Sequence, residues 1–500
     1  YGIAEIEVKK SEGIFKGLKS KEIVWMSHGD TVMELPPGYE VIGSTKTGQW
    51  AALGNFKKNF FGTQFHLEVT HTKSGMKMLE NFLDICGAAK EWSIDRFIEN
   101  EIAAVKEKVG DKKVFMMVSG GVDSTVAFVL LDKALGPDRV YGLFVDTGLM
   151  RKNERQNVEK SLREAGFNNL HVKDAGDIFF EALQRIYNPE AKRKIIGDLF
   201  LRVQEKVVLE LGLNPDEWLL GQGTIYPDTI ESGGTKYAAR IKTHHNRVQQ
   251  IEELIKQGKV IEPLSQLYKD EVRQVGEKLG LSENLVQRHP FPGPGLGVRC
   301  LCAQEERYPR NYNLLQEKID DELAPKKLEV FVLPIMSVGV QGDSRTYRNP
   351  MAILGDASFD DLGKIATDLI NRFEEINRVV WTLYPQNIEE INIHRAFLTR
   401  ERIALLQEAD AIVDGFIHEK GLNRDIWQFP TVMVPLSVNR DFGESIILRP
   451  VESEEAMTAN YYKMDEGLLC ELTERLSKID GITAVFYDVT NKPPGTIEWE

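Results

Sequence analysis

Apolar positions fall into three textures along the chain. Over residues 1–86 they come in short runs, IAEIEV, EIVWMSHGD, YEVIGST and WAALGNF, that read as short strands and turns, with an alternating pattern at Ile3, Ala4, Ile6 and Val8. GMKMLENFLDIC (75–86) then takes helical spacing, which predicts Cys86 inside an apolar helix and in the core. Residues 93–110 read as an amphipathic helix that stops at Gly110. VFMMVS (114–119) is an unbroken apolar run, followed by a glycine turn, an apolar helix over 125–135 and a second apolar run, VYGLFVD (140–146). Continuous apolar strands separated by helices belong to a parallel sheet covered on both faces, and the alternation runs on to about residue 280. The expectation is a doubly wound α/β domain over residues 93–300.

From about residue 305 the pattern repeats itself. LLQE stands at 314–317 and again at 405–408, each in a helical stretch. Apolar strands with an internal proline follow, FVLPIMSV (331–338) and VMVPLSV (432–438), then PMAIL (350–354) and SIILRP (445–450). Each copy closes on a helix and a strand, within 362–383 and 468–489. Two copies of one α+β unit, over 305–400 and 401–500, are the economical reading.

Composition narrows the classes. Five hundred residues imply more than one core. A formal charge of −14 makes the chain a poor general binder of nucleic acid, because phosphate neutralisation drives such affinity. No apolar run reaches about 18 residues, so no membrane span is expected. The four cysteines are too few and scattered for a disulfide framework, and Cys300 and Cys302 have no second pair to complete a zinc site. A reducing, cytoplasmic setting is expected. The chain starts at Tyr1 directly in a strand pattern, and reads as opening within a domain.

The most informative segment is Ser119-Gly120-Gly121-Val122-Asp123-Ser124, between a buried strand and a helix N-terminus. Glycines let backbone N–H groups approach phosphate oxygens, and the helix dipole adds partial positive charge there. Ser119 and Ser124 add hydroxyls. Asp123 would repel phosphate unless Mg²⁺ bridged the two. The G-x-x-x-x-G-K pattern of Walker loops is absent. The segment resembles the S-G-G-x-D-S loop of the ATP-pyrophosphatase superfamily, which cleaves ATP between its α and β phosphates.

Further segments resemble one family of that superfamily, the GMP synthetases: VDTGLMRKNE (145–154), GQGTIYPDTIES (221–232), KTHHN (242–246), IEPLSQLYKDEVR (261–273), RHPFPGPGLGVR (288–299) and KPPGTIEWE (492–500). The resemblance covers essentially the whole chain, and the duplicated end looks like the family's long form. It implies adenylation of XMP by Mg·ATP, then amination by ammonia to give GMP. The phosphate-loop residues would hold pyrophosphate and, through Asp123, the metal. Asp146 and Gly148 end the second strand, where such sheets bind adenosine. Lys242, ahead of His244 and His245, would neutralise developing charge, with a surface lysine as the alternative. Lys269 and Arg273 lie one turn apart and either share a ligand or form a solvated face. The RHPFPGPG loop, centred on Pro292 and Gly295, is by resemblance an XMP contact. So are Arg345, Gln428, Lys492, Thr496 and Glu498.

GTQFHLEVTHT (62–72) resembles the end of a class I glutamine amidotransferase, with His66 as base and Glu68 as its orienter. The first domain, residues 1–88, is therefore expected to be a partial α/β amidotransferase domain, with ammonia as nitrogen source because no cysteine sits in a glycine-flanked elbow. A duplicated C-terminal unit implies an internal pseudo-dimer and hence a monomer.

Overall fold

The computed structural model describes the chain apart from residues 1, 27–31, 33, 47–49, 70, 90, 215, 234–253, 255, 342–343 and 454–458. The expected Lys242, His244 and His245 lie outside the described residues. Two compact units, Tyr1–Ser93 and Ile94–Glu500, divide the chain.

In the first unit, β1 (Gly2–Val8), β2 (Lys21–Met26), β3 (Glu40–Thr45), β4 (Ala52–Asn55) and β5 (Phe60–Thr63) form one sheet in the order β2-β1-β3-β4-β5. Every pairing is antiparallel. Ile6, Val24 and Ile42 supply its buried face, and helix Gly75–Ile85 adds Met78. That helix buries only one stripe, and Cys86 at its end is exposed. The expectation of a core Cys86 is thereby corrected: the helix buries Gly75, Met78 and Asn81, and Phe82, Leu83 and Cys86 fall outside that stripe.

The second unit begins with helix Ile94–Val109 and the predicted parallel sheet. Its strands are β6 (Lys113–Met117), β7 (Val140–Asp146), β8 (Leu170–Asp174), β9 (Trp218–Gly221) and β10 (Val260–Ile261), in the order β10-β9-β6-β7-β8. All pairings are parallel. Val114 and Met116 of β6 face one core cluster and Phe115 the other, so the sheet is covered on both faces. That accounts for the lack of alternation. The order reverses at β6, and such a switch point opens a crevice at the carboxyl ends of the strands. The helix expected from residue 125 starts at Val122, so Asp123 and Ser124 occupy its first turn.

The remaining strands are β11 (Glu329–Val332), β12 (Ser337–Gln341), β13 (Ser344–Leu354), β14 (Ile376–Tyr384), β15 (Ile391–Ile393), β16 (Thr431–Val434), β17 (Leu436–Val438), β18 (Glu444–Leu448), β19 (Val451–Glu452), β20 (Asn460–Tyr461) and β21 (Ile482–Asp488). A seven-stranded sheet runs β11-β13-β14-β21-β18-β16, with β12 on β13. The duplication is explicit in its pairing. Within one copy β11 is antiparallel and β14 parallel to β13; within the other β16 is antiparallel and β21 parallel to β18. The copies meet at the antiparallel pair β14 and β21. Pro334 and Pro435 break the two apolar runs that sequence reads as single strands, because proline cannot donate to a ladder.

Candidate active site

The phosphate loop leaves β6 and enters helix Val122–Leu135 through Gly121, whose extended φ of −68° and ψ of 155° make it the N-cap. No side chain caps this helix, so its first-turn N–H groups are available to an anion. The hydroxyls instead brace the loop from within. Ser119 and Ser124 Oγ atoms lie 3.0 Å apart, the Ser119 N–H donates to Ser124 Oγ at 3.1 Å, and Thr125 donates to the Gly121 carbonyl at 2.8 Å. Gly120 takes a left-handed φ of +79°. Gly223 belongs to the GQGT segment and packs on the loop: a Cβ there would stand 2.9 Å from the Ser124 nitrogen.

Ser119, Gly121, Val122 and Asp123 line a cavity of about 940 Å³. Its other walls are Val145 near the end of β7, Thr147 and Met150 after it, one side of helix Pro189–Leu211 including Arg193, and the segment 288–294. Arg345 and Lys269 also line it. Lys269, first residue of helix Lys269–Lys278, places its ammonium 2.6 and 2.5 Å from the two Asp123 oxygens. Arg273, one turn on, is not among the lining residues, so only one of the pair reaches the cavity.

Arg288 ties two loops together: its guanidinium donates to the Gly120 carbonyl and to the Glu154 carboxylate. Glu154 is buried and also accepts from the Arg151 N–H at 3.0 Å. The proline-glycine segment is anchored at several points. His289 donates its Nε2 hydrogen to the Asn423 carbonyl at 3.1 Å, since a carbonyl only accepts. Burial holds the His289 imidazole below its ordinary pKa. Gln428 donates to the Pro290 carbonyl at 2.9 Å. Gly295 has φ +64°, and a Cβ on it would stand 2.2 Å from the Leu149 carbonyl oxygen.

Other expected residues lie elsewhere. Asp146 and Gly148 border a neighbouring cleft of about 300 Å³, which shares Met150 and Glu154 with the large cavity. Thr496 accepts from Arg378 at 2.6 Å, and Glu498 accepts two bonds from the fully buried Arg299, at 3.1 and 2.9 Å. Neither Thr496, Glu498, Lys492 nor Gln428 is among the cavity's lining residues; Gln428 acts on the loop that is. Pro292 and Arg345 line it directly, and Gly295 adjoins it in the chain. Sequence reasoning missed Arg193, Glu154, Arg288 and Phe291, although the last three sit inside motifs it had isolated. The first unit holds His66 and Glu68 with Nδ1 and Oε1 2.7 Å apart, both exposed. The Glu68 carboxyl is held below the usual range by its own backbone N–H and then by His66.

Among the described residues no cluster of three or more His, Cys, Asp or Glu side chains could hold a metal ion, and no helix is long and apolar enough to cross a membrane. A Mg²⁺ ion fits the Asp123 position nonetheless. Mg²⁺ is bound through one or two carboxylates plus substrate phosphates, rather than by an all-protein cage. Asp123 supplies a hard oxygen pair on the phosphate loop, now facing the Lys269 cation.

Three family models match the chain: glutamine amidotransferase class-I over residues 1–86, NAD synthase over 93–228 and GMP synthase C terminal domain over 416–499. A Leptospira interrogans protein named Probable GMP synthase (glutamine-hydrolyzing) is 46% identical over 510 residues, covering 100% of this chain and 83% of that protein. GMP synthases (glutamine-hydrolyzing) of Dictyostelium discoideum and Streptomyces coelicolor are each 36% identical, covering all of this chain and 79% of their own length. Identity of this order over the whole chain shows that the chain belongs to the GMP synthase family of carbon–nitrogen ligases.

Proposed function

We propose that the cavity of about 940 Å³ is where XMP is adenylated and then aminated to GMP, and that its lining residues carry the roles their chemistry suits. The observation behind this reading is that one cavity is lined by the phosphate loop, Lys269, the proline-glycine segment and Arg345. ATP lies with its β and γ phosphates on Ser119, Gly120, Gly121, Val122 and Ser124 and on the open end of the helix. Asp123 would hold Mg²⁺, which when bound supplies charge neutralisation between the phosphates. Lys269 then transfers from Asp123 to the phosphates.

The C2 oxygen of XMP attacks the α-phosphorus, the bond to the β-phosphate oxygen breaks and pyrophosphate leaves. Ammonia adds at C2 of the adenylated purine; AMP departs with the former C2 oxygen, and the nitrogen loses a proton. Arg193 and Arg345 suit the XMP phosphate by charge. Pro292 and Gly295 shape the wall facing the base, with Gln428 behind it. Lys242, Lys492, Thr496 and Glu498 keep their assignments on resemblance alone, as do Asp146 and Gly148 for the nucleoside of ATP. His66 and Glu68 keep their amidotransferase roles as base and orienter. The protein acts in the cytoplasm as a single chain.

Asp123→Asn tests the loop assignment. Pyrophosphate release in the presence of XMP should fall on the order of 10²–10³-fold, the usual loss when one electrostatic contact to developing charge is removed. Chelation of Mg²⁺ should stop the wild type. An Asp123→Asn variant with wild-type release would remove the phosphate loop from the mechanism.

A further inference from the structure

The proline-glycine wall of the cavity is gripped from behind by the C-terminal duplication. Phe291 lines the cavity and is half-buried. Arg151 and Arg299 both stack on its ring, their guanidinium carbons 5.1 and 5.3 Å from the centroid. Arg299 is fully buried, and the Arg151 side chain is 15% exposed. Two buried guanidiniums would repel each other and need a shared anion. That anion is Asp410, 3% exposed, on helix Arg400–Glu419. Its Oδ2 stands 3.5 Å from Arg151 Nε and its Oδ1 3.9 Å from Arg299 Nη1. These two nitrogens are buried and make no hydrogen bond, so the carboxylate between them is their electrostatic counterpart. Each arginine has one further anchor, Arg151 on Asp414 at 2.7 Å and Arg299 on Glu498 at 2.9 Å.

We propose that Asp410 is a positioning residue for the nucleotide cavity: from the second C-terminal copy it seats the two arginines that fix the Phe291 ring in the cavity wall. The inference rests on the reading that this cavity takes XMP. Asp410 is not among the lining residues, so it acts on substrate through the two arginines and the Phe291 ring they hold. Helix Arg400–Glu419 reinforces the same wall, because Gln407 donates to the Met150 carbonyl at 2.7 Å.

The test is steady-state kinetics of GMP formation with ammonium for Asp410→Asn, Phe291→Leu and the double variant. Asp410→Asn should raise KM for XMP about tenfold with kcat within twofold, because a wall displaced by a fraction of an ångström weakens binding before chemistry. In the Phe291→Leu background the same change should add less than twofold. Asp410→Glu should restore most of the affinity. Multiplicative effects of the two single variants, or an unchanged KM in Asp410→Asn, would overturn the inference. Should Asp410→Asn not fold, the half-exposed partner gives the reading instead. Asp414→Asn should raise KM about threefold, and only while Phe291 is present; no change sinks the proposal. Wild type run in parallel separates the two claims: failure of wild type to use XMP overturns the XMP reading and this inference together, whereas an active wild type with an indifferent Asp410→Asn overturns the clamp alone.

Discussion

At the scale of the residue, the cavity is built from side chains whose partners are other parts of the site. Asp123 and Lys269 neutralise each other across it, and Arg288 spans from the phosphate loop to Glu154. His289 shows what such tight seating does to a titration. Burial holds its pKa below the ordinary 6.5, so the unfolded chain takes up a proton that the native loop resists. Native stability therefore rises with pH across the window just below 6.5, and is lost as the pH falls through it. Replacing His289 by Gln removes that contribution. The urea midpoint of the wild type should fall between about pH 6.5 and about pH 5.5 more steeply than that of the variant. Parallel slopes would mean that the loop does not resist the proton.

At the scale of the element, glycine positions decide which loops can exist. Gly295 sits at φ +64° with its Cα against the Leu149 carbonyl, and its neighbour Leu296 donates to that carbonyl at 2.7 Å. Gly295→Ala brings both a strained conformation and a backbone clash, and should cost about 2–3 kcal/mol in denaturant unfolding. A loss below about 0.5 kcal/mol would show that the loop relaxes freely. The elements themselves were largely legible. Unbroken apolar runs marked the parallel strands, and the repeated segments marked the duplication, because burial on two faces and tandem copying both leave periodic signatures. What sequence could not supply was direction. KDEVR spacing put Lys269 and Arg273 on one face, yet only Lys269 lines the cavity. Cys86 lay in an apolar pattern, yet the helix turns it to the surface. The terminal TIEWE residues were legible as a motif, but their packing was not. Trp499 and Glu500 are buried, and Glu500 pairs with the fully buried Lys192. Such long-range partners leave no local trace.

At the scale of the whole molecule, the second unit joins the cavity at its phosphate loop to a sheet made of two matched halves. Their contact runs through β14 and β21, central strands of one continuous sheet, so the pseudo-twofold contact is already made within the chain. A sedimentation mass of one chain is predicted, and a mass of twice the chain would mean that a further interface is used. Under the proposed function the loop Ser119–Ser124 directs cleavage between the α and β phosphates of ATP, with XMP as the acceptor. The most direct measurement is the product analysis of XMP, Mg·ATP and ammonium incubated with the protein. Equal amounts of GMP, AMP and pyrophosphate are predicted. ADP and orthophosphate in their place, or AMP formed at the same rate without XMP, would contradict the account.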